Sequence, residues 1–458
     1  MSEQLTSSKD LKRVLTFKDL VLAGVGSIVG SGIMSLTGWA IADTGRSVPI
    51  AIFLGAIFML CMRLPLIFIN SVARFRGGVY SIIGTMLGKK WAGAYSLICF
   101  LTSITCALYC LSFADYAMPF LPFLPRKVIA IGIVTILIVV NYFGVNVFAK
   151  VQNLTVFVLA IALTLFTIIG FTHLEGNYFD PQSWMTGGIP GLLKASILMS
   201  FTCDGAQYLS SFSPEAKDPA RDIPRAMLVS TIGVAIFYGL MSIVAAGVLP
   251  VADVAGQPLS TVADVIFSRP LYYFFMIGGA WMALLTTLNA DIATFAIPMI
   301  QSCNDGWFPK SWAKLHPKYR TPLFWLGYYW VCCTLPILFN LDVNTIADVN
   351  IGIGAVTKFM VLLCFFRLPK VLPDSWKKSK FHLNTPVFII LGLLSMATIL
   401  YSGATSFLDL PPVLLTLNIL VVIASFIYGS VRANSSKVNM EVSYELTDSE
   451  EYTSGLEN

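Results

Sequence analysis

Gly26-Ser27-Ile28-Val29-Gly30-Ser31-Gly32-Ile33 lies in the middle of the chain's first long apolar run. Each glycine costs a helix roughly 1 kcal/mol relative to alanine, and this stretch sets three glycines beside two serines. In hydrocarbon such an interruption survives only where protein or a watery cavity satisfies the bared backbone groups. Two readings fit the motif taken alone. Small residues allow close helix–helix contact, or the helix opens at mid-depth and offers free N–H and C=O groups to a ligand.

The rest of the chain belongs in a bilayer. Of its 458 residues, 56% are hydrophobic and only 12% charged, where a soluble domain carries about 25% charged residues. Mean hydropathy is +0.76. A membrane helix needs about 20 mainly apolar residues. About twelve such segments can be traced, at 17–43, 48–72, 91–120, 127–147, 149–172, 190–212, 225–249, 270–302, 320–340, 345–366, 384–404 and 411–432. Segments one, six and eight exceed one membrane width, so part of each is expected outside the core or unwound.

Lys and Arg set the orientation. With both termini inside, 23 of the 30 basic residues fall in cytoplasmic regions, and Arg46, Arg126, Lys127, Lys194 and Arg269 fall outside. The positive-inside rule requires this asymmetry. The net charge of +5 therefore reports topology rather than nucleic-acid binding. Arg63 and Lys358 lie within segments, and Arg63 is expected to reach toward an interface. The N-terminus lacks the pattern of a cleavable signal peptide, and the chain is expected in a bacterial inner membrane. Nine scattered cysteines without a CxxC or Cys/His cluster predict neither a metal site nor a disulfide framework. No cofactor is expected. The polar tail from Arg432, with Glu441, Glu445, Asp448, Glu450 and Glu451, reads as a short mobile cytoplasmic end.

A second interruption occurs in segment six, where Leu198-Met199-Ser200-Phe201-Thr202-Cys203-Asp204-Gly205-Ala206-Gln207-Tyr208 clusters polar residues at mid-depth. Paired breaks at corresponding positions of two halves are the sequence signature of a transporter's binding site.

Four blocks carry a family resemblance. They are Gly30-Ser31-Gly32-Ile33; Arg76-Gly77-Gly78-Val79-Tyr80; Phe201 to Gly205 with Glu215-Ala216-Lys217-Asp218-Pro219-Ala220-Arg221-Asp222-Ile223-Pro224-Arg225-Ala226; and Asn304-Asp305-Gly306-Trp307-Phe308-Pro309 with Leu315-His316-Pro317-Lys318-Tyr319-Arg320-Thr321-Pro322. With them the chain resembles the amino acid–polyamine–organocation transporters, and among these the arginine/agmatine exchangers. The resemblance implies an all-α integral membrane fold of the LeuT type, a five-plus-five inverted repeat with two extra C-terminal helices, twelve in all. It divides the chain into a cytoplasmic tail (1–16), a ten-helix core (17–366), helices eleven and twelve (384–432, a candidate homodimer face) and an acidic tail (433–458).

The residues point to a solute site at the two breaks. A half-helix N-terminus carries about +0.5 of a charge and free donors. The N–H groups after Gly30 and Ser31, with Gly32, suit a carboxylate. Carbonyls near Ser27, Ile28 and in segment six, around Cys203, Asp204 and Gly205, suit an ammonium. By resemblance, Phe201 stands where the family places an aromatic gate, and Asp291 lies near a substrate-lining position. Asp204 and Asp291 are the midplane acids. An acid there costs roughly 2.5–3.5 kcal/mol and is retained for a partner or a function. Asp291 either meets a cationic solute or pairs with Lys358. Thr286 and Thr287 either join a sodium site or bond their own backbone. The helix-five lysine of some family members is replaced, on aligning Lys150-Val151-Gln152-Asn153, by Val158 or Leu159.

These features predict a secondary transporter of amino acids or amines, with exchange of a cationic solute as the first reading. A proton- or sodium-coupled symporter is the second. A solute sensor that has kept the transporter fold is a third class. A membrane enzyme is disfavoured, because no nucleophile–base or metal-ligand constellation appears.

Overall fold

The computed structural model describes residues 11–341, 343–408, 410–440, 442–447, 449 and 452. Helices dominate it. The first half runs α1 (Phe17–Ile28), α2 (Ser31–Thr44), α3 (Val48–Asn70), α4 (Val79–Leu87), α5 (Lys89–Thr102), α6 (Ala107–Ala117), α7 (Arg126–Tyr142) and α8 (Val145–Phe171). Next come α9 (Pro181–Trp184), α10 (Gly188–Thr202), α11 (Pro219–Gly247), α12 (Val251–Val254), α13 (Leu259–Ile266), α14 (Arg269–Phe275) and α15 (Met282–Asn304). The chain ends with α16 (Leu323–Leu338), α17 (Val343–Val371), α18 (Pro373–Lys378), α19 (Thr385–Leu408) and α20 (Pro412–Arg432). Two short strands, β1 (Ala73–Phe75) and β2 (Tyr444–Leu446), pair antiparallel.

Among the described residues, seven helices are long and apolar enough to cross a membrane, and α16 is a shorter apolar helix. The outward faces are apolar. On α20, Val413, Leu420, Ile423 and Ile427 are all exposed, a surface that lipid solvates and water does not. The chain is an all-α, multi-pass membrane protein.

Local chemistry sets the ends that matter. A capping box starts α1: Thr16 Oγ1 accepts from Asp19 N–H at 3.4 Å, and Thr16 N–H donates to Asp19 Oδ2 at 3.0 Å. The helix stops at Val29, whose N–H still bonds Val25 O, and Gly30 is extended at φ −121°, ψ −165° before α2 begins. Segment six breaks likewise. α10 closes at Thr202, Gly205 takes φ +142°, and a 3₁₀ stretch runs from Ala206 to Phe212. A six-residue π-helical stretch, Met276–Trp281, precedes α15. Helices α3 and α10 approach at backbone distance, since a Cβ on Gly55 would lie 2.6 Å from Ser196 O.

Two expectations need correcting. Cys106 and Cys333 form a disulfide across 227 residues, with Cα atoms 5.5 Å apart. The sequence carries no spacing signal for it, because tertiary packing alone brings the start of α6 beside α16. The described part of the tail is also docked rather than loose. Residues 444–446 pair with 73–75, Val438 is buried with Tyr80 and Trp307, and Asn439 N–H bonds Asp305 O at 3.1 Å.

Candidate functional site

The two breaks face each other. A Cβ on Gly205 would fall 2.3 Å from Ser27 O, so only glycine allows this approach, and its φ of +142° is one that side chains avoid. A Cβ on Gly32 would meet Thr202 Cγ2 at 3.3 Å. The Gly30 N-cap has no side-chain cap hydrogen bond, which leaves the first N–H groups of α2 without that partner.

Beside the breaks lies a cavity of about 370 Å³ lined by Ser27, Arg63, Phe201, Asp204, Gly205 and Lys358, among others. Phe201 is 44% exposed there, so its ring is not core packing. An adjoining cavity of about 220 Å³ holds Asp291, Tyr95, Tyr329 and Thr294. Tyr109, Gln207, Tyr208, Gly354 and Thr357 line both. The structure thus gathers Ser27, Phe201, Asp204 and Gly205 at one cavity and sets Asp291 in the next. Ile28 and Cys203 are buried, at 3% and 0% exposure, and belong to neither described lining. Ile28 has only backbone to offer, and so do Gly30 and Gly32. Ser31 starts α2, and its side chain lies outside the described residues.

The charges are paired differently from the expectation. Lys358 meets Asp204 Oδ2 at 3.9 Å rather than Asp291. Arg63, expected near an interface, is 7% exposed and also holds Asp204, with Nε at 3.1 Å from Oδ1 and Nη2 in close ion-pair contact. The reason is geometric. α17 packs along α3, which carries Lys358 to the second break and away from α15. A buried guanidinium also needs a counter-charge. Arg63 is the residue that sequence reasoning missed, although an arginine inside one apolar span and an acid inside another was a usable signal. Asp291 accepts from Tyr329 Oη at 2.6 Å and forms no ion pair with a described side chain.

The hydroxyls and amides behind α1 form a second cluster. Thr287 Oγ1 lies 3.1 Å from Ala283 O, 3.3 Å from Gly26 O and 3.4 Å from Val29 O. Thr286 donates to Ala283 O at 2.9 Å. From α8, Gln152 and Val156 reach this end of α1: a Cβ on Gly26 would meet Gln152 Nε2 at 2.4 Å and Val156 Cγ2 at 2.9 Å. Gln152 Nε2 donates to Thr286 O, Asn289 to Gln152 Oε1, and Asn141 to Asn289 Oδ1. This buried amide chain ties α7, α8 and α15 together. Of the positions aligned with the family's helix-five lysine, Val158 lies near Gly278 and Leu159 is buried in the core.

Glu215, in the loop after the second break, is buried at 8% exposure beside Lys12 in a small pocket. Burial pushes its carboxyl up to about 8.

Residues 15–431 match the family described as amino acid permease. The chain belongs to that family. Among the similar proteins is a branched-chain amino acid permease of Bacillus subtilis, 26% identical over 399 residues, which cover 81% of this chain and 83% of that one. A methylthioribose transporter of Bacillus subtilis is 23% identical, covering 69% and 73%. Cationic amino acid transporter 4 of Mus musculus is 24% identical, covering 81% and 62%. The protein is thus a membrane permease for small molecules of the amino acid class, not an enzyme.

Proposed function

We propose that this permease works by alternating access and seats its solute between the two broken helices, with exchange of an amino acid or cationic amine as the mode. The inverted-repeat core over 17–366, twelve membrane helices and cytoplasmic termini in a bacterial inner membrane are parts of the same reading, as is the use of α19 and α20 for a homodimer. The carrying observation is the inequality of the two acids. Asp204 already has two cations, whereas Asp291 has a phenol donor and an open cavity. Asp291 is thus the acid available to a distal ammonium or guanidinium. The N–H groups at the start of α2 are the matching donors for a carboxylate. Phe201, on the lining of the cavity beside the breaks, would serve as the gate.

Reconstituted vesicles test this. Uptake of labelled arginine is expected to require an internal amino acid or amine and to be competed by other cationic solutes. Uptake that is indifferent to internal solute overturns exchange. A preference for leucine over arginine overturns the cationic reading.

Sodium coupling is the second reading, and the hydroxyl of Thr287 among three carbonyls supports it. Oxygen-rich sites of this kind suit a hard cation. Stimulation of uptake by an imposed sodium gradient, lost in T287A, favours it over exchange.

A further inference from the structure

One acid outside the transport cavities is surrounded by arginines. Glu445 of β2 is 2% exposed. Its Oε1 lies 2.9 Å from Arg13 Nη2 and 3.7 Å from Arg76 Nη1, and its Oε2 lies 3.1 Å from Arg74 Nε. These arginines come from separate pieces of chain, the lead-in to α1 and the connection after α3. Arg74 goes on to donate to Ala216 O at 2.7 Å and Lys217 O at 2.9 Å, in the loop after the second break. Lead-in and loop also touch directly. Val14 and Leu15 N–H groups donate to Glu215 O at 2.9 and 3.0 Å, and Lys217 N–H donates to Leu15 O at 3.0 Å. Farther along the tail, the Tyr452 hydroxyl donates to Asp218 and accepts from Ala220 N–H at 3.2 Å.

We propose that the C-terminal tail is a clamp: residues 444–446 add a strand to β1, and Glu445 ties the lead-in of the first broken helix to the loop that follows the second, holding that mouth of the transport path shut. This rests on the alternating-access reading, in which α1 must part from that loop for the mouth to open. Two properties suit a clamp that releases. A three-residue strand pair is marginal alone, so the tail's grip rests chiefly on the Glu445 ion pairs, added to the backbone bonds that already join lead-in and loop. That carboxylate is buried, so salt screens it weakly, and removing it leaves buried guanidinium groups without their shared anion.

Hydrogen–deuterium exchange on the full chain in lipid nanodiscs tests the clamp without any solute. In E445Q, peptides over 13–17, 74–77 and 214–218 are expected to exchange about tenfold faster, a loss of local protection, with α3 and α11 unchanged and E445D close to wild type. If only 444–446 speeds up, or nothing does, the tail is a passenger and the proposal falls. If E445Q loosens α3 or α11 as well, R13Q decides. It cuts only the lead-in, from a partly exposed arginine, so 13–17 and 214–218 must loosen while 444–446 stays protected. Failure of that pattern overturns the clamp. Failure of the transport reading would show elsewhere, as absent amino acid flux with the exchange pattern intact.

Discussion

Asp204 and Asp291 are both half-buried acids near the middle of apolar spans, yet their surroundings are opposite. Asp204 sits in the break after α10, held by Arg63 and Lys358 and by the Gly205 N–H at 2.9 Å. Asp291 lies within α15, lines a cavity and accepts directly from the Tyr329 hydroxyl. The difference separates architecture from recognition. A carboxylate with two cations of its own gains little from a third, so Asp204 is a fastening between α3, the broken helix and α17. A carboxylate with only a neutral donor keeps its charge for something that arrives.

The largest way to break this contrast is at Arg63. Arg63→Met is expected to destabilise the protein by about 3–5 kcal/mol, as loss of one member of a buried ion pair does, measured by denaturant unfolding in detergent. Adding D204N and K358Q together should restore most of that loss, because no member of the cluster is then left charged without a partner. If the triple variant is no better than the single one, Arg63 is not acting through Asp204.

Asp291 should behave in the reverse way. D291N is expected to leave the unfolding midpoint nearly unchanged while weakening arginine binding tenfold or more, on the order of 1.5–3 kcal/mol for a hydrogen bond to a charged group. Leucine binding should change little. Thermal-shift titrations with both solutes read the split, and equal losses for the two would remove the charge argument. Lys358→Gln is a smaller probe. At 3.9 Å from Asp204, with Arg63 still in place, its loss should cost only about 1 kcal/mol.

Glu215 extends the comparison to an acid with no cation bonded among the described side chains. Its folded pKa, raised to about 8, means that the folded chain holds a proton there which the unfolded chain releases. Its stabilising share is therefore complete below the ordinary carboxylate pKa and fades as pH rises toward and through about 8. Melting temperature should fall by a few degrees between mildly acidic and alkaline buffer, and E215Q should flatten that slope. An unchanged slope would mean that Glu215 finds its counter-charge.

Much of this was legible in the sequence, for definite reasons. Glycine and serine clusters inside apolar runs mark backbone that no helix former would choose, so residues 26–33 and 200–208 announced both breaks. What the pattern lacked was partnership. Lys358 is separated from Asp204 and Asp291 alike by long stretches of chain, and composition gives no ground for choosing between them. The same blindness hid the Cys106–Cys333 disulfide, the Gln152–Asn289–Asn141 amide chain, and the docking of a tail whose acidic composition reads as solvated.

Sequence by itself determined that the chain crosses a membrane, where its helices fail, and that the failures come in a pair, because these depend on local propensity and on the cost of bare peptide groups in lipid. Tertiary structure alone decided which acid is neutralised and which stays open, since Coulomb energy and desolvation depend on distances between helices that are remote along the chain.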